Sequence, residues 1–295
     1  MNATAPSYQV EQQGGAKGGA APSIRRPRTS WALLTQAPLH DFPVRDEILL
    51  QYLPLQPEMD VAEVGVGTGF TSCWLAGQAR SYTGIDVSAA TVERLRTELQ
   101  HLRNAEFFCA DLAKPDVPNL IAKRFDIVYG LDVFEYVPNP EICLQNLARI
   151  LQPSGMMLLS YPNVPPPRGD GVTWFEQKGA LEALIAAAGF HRWEITELRL
   201  RPWAKAVYTL LHEWPIGLYR SRHRAKRTSE ERPQIYEDTW AFQNGQRLNR
   251  YRTLLHLSWA VLGVLMRLCG PVYGSHELSG DQNLLGRQLL IRAWK

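Results

Sequence analysis

Glu63, Gly65, Gly67 and Gly69 alternate within the run Met59-Asp-Val-Ala-Glu-Val-Gly-Val-Gly-Thr-Gly69, a spacing suited to holding a charged small molecule. A glycine-rich turn carries no side chains, so its backbone N–H groups can approach a ligand closely. A helix starting just after it points its N-terminus at the same place. Many nucleotide sites share that much. The discriminating residue is Glu63, whose carboxylate would repel a pyrophosphate but attract a cation, such as the amino group of a bound amino acid. Two more acids close later segments: Asp86 ends Ser81-Tyr-Thr-Gly-Ile-Asp86, and Asp111 ends Ala105-Glu-Phe-Phe-Cys-Ala-Asp111. An acid at the tip of the second strand of a βαβ unit is placed to accept from both ribose hydroxyls. The bland alternatives are an incidental glutamate beside a glycine turn, and Asp86 or Ser88 as a helix cap.

These residues need a sheet to position them. Val61, Val64 and Val66 supply the β-branched bulk of a first buried strand. A second strand ends at Asp86, a helical run covers Ala89 to Leu102, and a third strand ends at Asp111. Arg124 to Val137 reads as a fourth strand with its loop, and Ile150 to Ser160 as a helix end, a Pro153-Ser-Gly155 turn and a fifth strand. A helix is expected before the first strand, over Phe42 to Leu55. Thr173 to Ala188 has helical spacing with Gly189 as its stop, and Trp193 to Leu200 alternates like a sixth strand. Gly286 to Trp294 reads as the last strand, after a segment of about 85 residues. A connection that long inside a compact domain carries structure of its own. Two helices are expected in it, Pro202 to Tyr219 and Asn244 to Leu268; the second repeats apolar residues at three- and four-residue steps.

S-adenosylmethionine (SAM) carries an amino group and a sulfonium but no phosphate. The pattern Glu63-x-Gly65-x-Gly67-x-Gly69 resembles the first motif of the class I SAM-dependent methyltransferases, in particular the type 11/12-like small-molecule enzymes. The resemblance extends from about Arg45 to Leu200 and resumes at the last strand. It implies an α/β, Rossmann-like, seven-stranded and mostly parallel sheet with helices on both faces. The last strand is then antiparallel, and a helical insertion precedes it. Residues 1–30 are expected to form a disordered tail, 31–200 the SAM-binding core, 201–284 a helical insertion acting as acceptor lid, and 285–295 the final strand. The resemblance also places Glu63, Gly65, Gly67, Gly69, Asp86 and Val87 on the cofactor. Asp111 and Leu112 meet its adenine, and Leu131 and Asp132 lie near its methionine end. One departure matters: many relatives have Glu-His where this chain has Glu135-Tyr136, so a histidine base is in doubt here.

Composition narrows the function classes. Net charge is +3, too little for a strong field toward polyanions. The four cysteines are dispersed without a C-x-x-C pair, which suits a reducing compartment, and the seven histidines show no clustered ligand spacing, so no metal is expected. The first 30 residues lack the apolar core of a secretory signal. A cytoplasmic enzyme is therefore expected. Within the insertion, the basic run 220–227 suits anionic lipid, nucleic acid or an acidic substrate, or is simply a solvated loop. The apolar stretch 257–268 is well short of the ~20 residues that span a bilayer. Peripheral contact with the inner face of a membrane stays open.

Methyl transfer from a sulfonium is an in-line displacement with a good leaving group. Alignment of donor and acceptor contributes several kcal/mol, and a hydroxyl acceptor also needs a base within reach of its proton. The edge where strands four and five end offers Asp132, Glu135, Tyr136, Tyr161 and Asn163; Glu135, Tyr136 and Asn163 are the catalytic candidates. The acceptor expected is a small molecule, a glycan or a lipid-linked intermediate, modified on oxygen. Nucleic acid is disfavoured, because an amino-methylating enzyme of that class wants Asn-Pro-Pro-aromatic after strand four, where Leu131-Asp-Val-Phe134 stands. A nicotinamide dehydrogenase wants its last glycine where Phe70 stands. A catalytically silent SAM-binding protein remains the other alternative, and the oligomeric state is not legible.

Overall fold

The computed structural model describes residues 42–67, 69–163, 173–210, 265, 268–278, 280 and 282–295. The expected tail 1–30, the basic run 220–227 and nearly all of the apolar stretch 257–268 lie outside the described residues.

The first half of the chain alternates strand and helix. Helix α1 (Phe42–Tyr52) leads to β1 (Asp60–Val64), α2 (Phe70–Leu75), β2 (Ser81–Asp86), α3 (Ala89–Glu98) and β3 (Ala105–Cys109). Helix α4 (Val117–Ile121), β4 (Phe125–Leu131), α5 (Pro140–Ile150) and β5 (Leu151–Asn163) follow. Strands β1 to β5 pair in parallel, because each returns through a crossover helix. Local signals set the helix starts, while the helix expected to run from Ala89 to Leu102 ends at Glu98. Ser88 caps α3 by accepting from the Thr91 N–H at 3.2 Å, and Asn139 caps α5 by accepting from the Ile142 N–H at 3.1 Å, with Pro140 at the first helical position. The Pro153-Ser-Gly155 turn is absorbed into β5 as a register shift, Phe125 facing Leu151 while Ile127 faces Met156.

Helix α6 (Lys178–Ala187), β6 (Arg192–Leu200), α7 (Pro202–Tyr208), β7 (Tyr273–Glu277) and β8 (Arg287–Trp294) complete the described fold. The sheet order is β3-β2-β1-β4-β5-β8-β6-β7. Strand β8 runs antiparallel between β5 and β6, as the resemblance implies. The expected count of seven strands is corrected to eight among the described residues. The extra strand, β7, pairs antiparallel with β6 and falls inside the expected helical insertion, after the second of the two helices expected there. Its sequence, Tyr-Gly-Ser-His-Glu, has no apolar alternation, because an edge strand has one neighbour and buries little of either face. Helix α6 is also shorter than the spacing over Thr173 to Ala188 suggests: Thr173 to Gln177 is instead drawn across to strand ends.

Each face of the sheet is covered. Ala62, Val64, Val128 and Leu159 face one way, toward α5 and α6 through Leu144, Leu147, Leu181 and Ile185. Val61, Ile127 and Leu158 face the other way, toward α1, α2 and α3 through Ile48, Leu49, Leu75 and Leu95. Burying each such side chain contributes about 1.5–3 kcal/mol, so two filled faces fix the height of every strand end. The carboxyl ends of β1 to β5 therefore form one rigid edge.

Candidate active site

The glycine turn after β1 is held by what presses on it. Gly65 (φ 73°) and Gly69 (φ 77°) both adopt the left-handed conformation that side chains oppose. A Cβ on Gly65 would lie 2.5 Å from Val133 Cγ2, and one on Gly69 would lie 2.3 Å from Leu95 Cδ2. The turn is thus packed from behind by the loop after β4 and by α3. Gly67 (φ 48°) differs: among the described residues a Cβ there would meet only the Gly65 carbonyl oxygen, at 4.0 Å, so the described fold leaves the outer side of the turn open.

Asp86 ties this turn to the end of β2. One carboxylate oxygen accepts from the Gly67 N–H at 3.1 Å, the other from the Ser88 N–H at 2.9 Å. A carboxylate has about four acceptor positions, so capacity remains for two ribose hydroxyls. Beside it Val87 is 54 % exposed, an apolar surface next to the acid. Arg94, from α3, donates to the Gly67 carbonyl at 2.9 Å and pairs with Glu98 at 2.7 Å. Sequence reasoning missed this brace, since an arginine on an exposed helix face reads as surface charge.

Glu63 sits beneath the turn rather than at its open side. Its carboxylate is 4 % exposed and accepts from the hydroxyls of Thr71 (2.5 and 2.6 Å), Tyr129 (2.9 Å) and Tyr82. Ser72 shares a hydrogen bond with the Tyr82 hydroxyl at 2.9 Å. Burial, then the Glu63 charge, push both phenols well above their ordinary range, so they stay protonated donors. The carboxylate is fastened to α2, β2 and β4 at once.

At the end of β3, the Asp111 carboxylate accepts from the Ala113 N–H at 3.0 Å, and its carbonyl from the Lys114 N–H at 2.9 Å, a tight turn that presents Leu112. At the end of β4, Leu131 is buried and Asp132 takes a left-handed conformation (φ 51°). Strain of that kind in a residue other than glycine persists only where its surroundings enforce it. Here the Asp132 N–H donates to the Ser160 carbonyl at 2.7 Å, and its carboxylate accepts from Gln288 Nε2 at 3.1 Å. Gln288, brought in by antiparallel β8, is a second residue that linear reading could not connect to this edge.

The catalytic candidates divide. Glu135 lies in the short 3-10 turn Phe134–Tyr136 and is 4 % exposed, whereas Tyr136 in the same turn is 54 % exposed. The Glu135 carbonyl accepts from the Thr173 N–H at 2.7 Å. The Tyr161 hydroxyl is buried without a hydrogen-bond partner among the described residues; burial, then the Glu135 charge, raise its pKa. Asn163 is fully buried. Its amide donates to the Phe175 and Leu284 carbonyls at 2.7 and 2.8 Å, and its side-chain oxygen accepts from the Phe175 N–H at 2.8 Å. With both amide hydrogens committed, Asn163 staples the 173–177 stretch and the approach to β8 onto the end of β5. Among the described residues, no three His, Cys, Asp or Glu side chains gather as a metal set, and no described helix is long and apolar enough to cross a membrane.

Comparison with known proteins agrees with this arrangement. Residues 62–159 match the family model described as a methyltransferase domain. The ubiquinone biosynthesis O-methyltransferase of Coxiella burnetii is 32 % identical over 129 residues, covering 43 % of this chain and 53 % of that protein. The chain thus spans about half the length of that relative. The enzyme of the same name from Alkalilimnicola ehrlichii is 29 % identical over 182 residues, 59 % of this chain and 70 % of the other. Among solved structures, a phosphoethanolamine N-methyltransferase 2 of Haemonchus contortus, in complex with phosphomonomethylethanolamine and S-adenosylhomocysteine, aligns with TM-score 0.50. Its identity is 16 %, over 86 % of this chain and 52 % of that one, a likeness of fold. Residues 62–159 are thus similar in sequence to a methyltransferase domain, and the described fold is like that of a solved methyltransferase.

Proposed function

We propose that this chain transfers a methyl group from SAM to a small-molecule acceptor, by O-methylation. The observation that carries the reading is the edge formed by β1 to β4. It gathers a glycine turn open on its outer side at Gly67, Asp86 with acceptor capacity left over, the tight turn at Asp111 and the strained Asp132. Asp86 takes the ribose hydroxyls, Val87 and Leu112 flank the adenine, Asp111 receives its amino group, and Leu131 and Asp132 border the methionine end. Glu63 serves the same site from below, holding Thr71 and hence the start of α2. When bound, SAM supplies an electrophilic methyl group; what the chain adds is alignment and a proton acceptor.

Glu135 is our choice for that acceptor. It lies in the turn that follows β4, at the edge where the acceptor would meet the methyl group. The proton of the acceptor hydroxyl passes to its carboxylate as the oxygen attacks. Tyr136, exposed in the same turn, contacts the acceptor at the mouth, and Asn163 acts by holding the edge in shape. The relatives named for ubiquinone biosynthesis favour a ring-bearing hydroxyl acceptor. Trp203, Trp214, Trp240 and Trp259 of the insertion suit such a ring or an apolar tail, and the basic run 220–227 suits an acidic sugar or a lipid headgroup at a membrane face. The part of the 201–284 insertion that precedes β7 then acts as acceptor lid.

The test is transfer of label from methyl-labelled SAM to a panel of a catechol, a glycan, a lipid-linked sugar and RNA. Label on the catechol oxygen is the expected result. Label on RNA supports the nucleic-acid alternative, and SAM binding without transfer to any member supports a silent SAM-binding protein.

A further inference from the structure

Helix α5 carries a fully buried amide that reaches across to the loop after β3. The side chain of Asn146 is 0 % exposed in a helix whose other buried residues are apolar. Its Nδ2 donates to two main-chain carbonyls of that loop, Leu112 at 3.0 Å and Lys114 at 2.6 Å. Its Oδ1 is buried with no partner among the described residues. Burying an acceptor with nothing to accept from costs free energy, so what the residue contributes here is its two donors. Those donors span Ala113, whose N–H is bound by the Asp111 carboxylate. Helix and acid therefore grip the same turn from opposite sides. The proximity is seen again at Cys143, one turn earlier on α5, whose thiol burial and then the Asp111 charge push up to about 12.

We infer that Asn146 is a positioning residue for adenine selectivity, setting the Leu112 and Asp111 turn at the height that reads the base. The inference rests on the proposed assignment of that turn to the adenine. Without the clamp, the two carbonyls lose their donors and the turn is free to lift, so the Asp111 carboxylate no longer meets an exocyclic amino group in register.

The test compares binding of S-adenosylhomocysteine and its inosine analogue, which carries a carbonyl where adenine carries the amino group. Asn146→Asp keeps the shape and removes both donors; Asn146→Ser keeps one donor and decides the matter alone if the first variant does not fold. The unaltered chain should prefer the adenine compound. Asn146→Asp should weaken that compound about tenfold while changing the inosine analogue little, so the preference collapses, with Asn146→Ser intermediate. A preference left intact, whether both compounds weaken equally or neither weakens, overturns the inference. Failure of the unaltered chain to bind S-adenosylhomocysteine overturns the SAM reading itself.

Discussion

Replacing Glu63 separates a strut from a ligand. Glu63→Leu removes the acceptor shared by Thr71, Tyr82 and Tyr129. A buried hydroxyl left without a partner costs about 1–3 kcal/mol. Three hydroxyls would give a larger sum, but Tyr82 keeps Ser72 at 2.9 Å and the others lie near enough to pair in part. The apolar replacement also recovers some burial. The expected net loss is therefore about 2–4 kcal/mol, a large share of the ~5–15 kcal/mol that holds a domain together. Glu63→Gln keeps one acceptor and the shape, and should lose less than half of that. Urea unfolding, read at constant slope, measures both variants, and calorimetry on the folded fraction measures SAM affinity. If Glu63→Leu unfolds at the same urea concentration as the unaltered chain, Glu63 is no strut. If stability is unchanged but SAM affinity collapses, the carboxylate acts on the ligand directly instead.

Two further outcomes are expected. Asn163→Leu strands the Phe175 N–H and two carbonyls, and should cost about 2–4 kcal/mol in urea unfolding; any remaining folded protein should bind SAM nearly normally, because Asn163 holds the β5 and β8 side of the edge. Glu197 is held below the usual carboxylate range, first by the hydrogen bond from Arg199 and then by Arg287, and a depressed pKa means stability present above the unfolded value near 4.3 and lost as pH falls through the folded one. Acid unfolding should therefore differ between Glu197→Gln and the unaltered chain: the variant's deficit at neutral pH should shrink below about pH 4, as followed by tryptophan fluorescence. A deficit that does not change with pH contradicts the ion pairing.

What reads directly from the chain are elements whose identity is local. Central strands such as β4 announce themselves because a parallel sheet buries both faces and so needs largely apolar runs, here Phe125-Asp-Ile-Val-Tyr-Gly-Leu131, and the ends of β1 to β4 are marked by a glycine or acid. The acids at Asp86 and Asp111 are legible for the same reason. Contacts between distant segments are not. Glu63 reads as a group for a cation until β2 and β4 bring Tyr82 and Tyr129 to it. Asn163 reads as a catalytic candidate, with nothing linear to show that its amide meets Phe175 and Leu284, and Gln288 reaches Asp132 only because β8 inserts antiparallel next to β5. Strand β7 is hidden because Gly274, Ser275 and His276 bear no apolar pattern, and an edge strand requires none.

The central claim is that the edge at Gly65–Gly69, Asp86 and Asp111 binds SAM, and calorimetric titration of the unaltered chain with SAM tests it most directly. One site is expected, weakened roughly 5- to 150-fold by Asp86→Ala, the equivalent of the ~1–3 kcal/mol at stake when hydrogen-bonded partners of a buried acceptor are stranded. No binding by the unaltered chain, or an affinity untouched by Asp86→Ala, would contradict it.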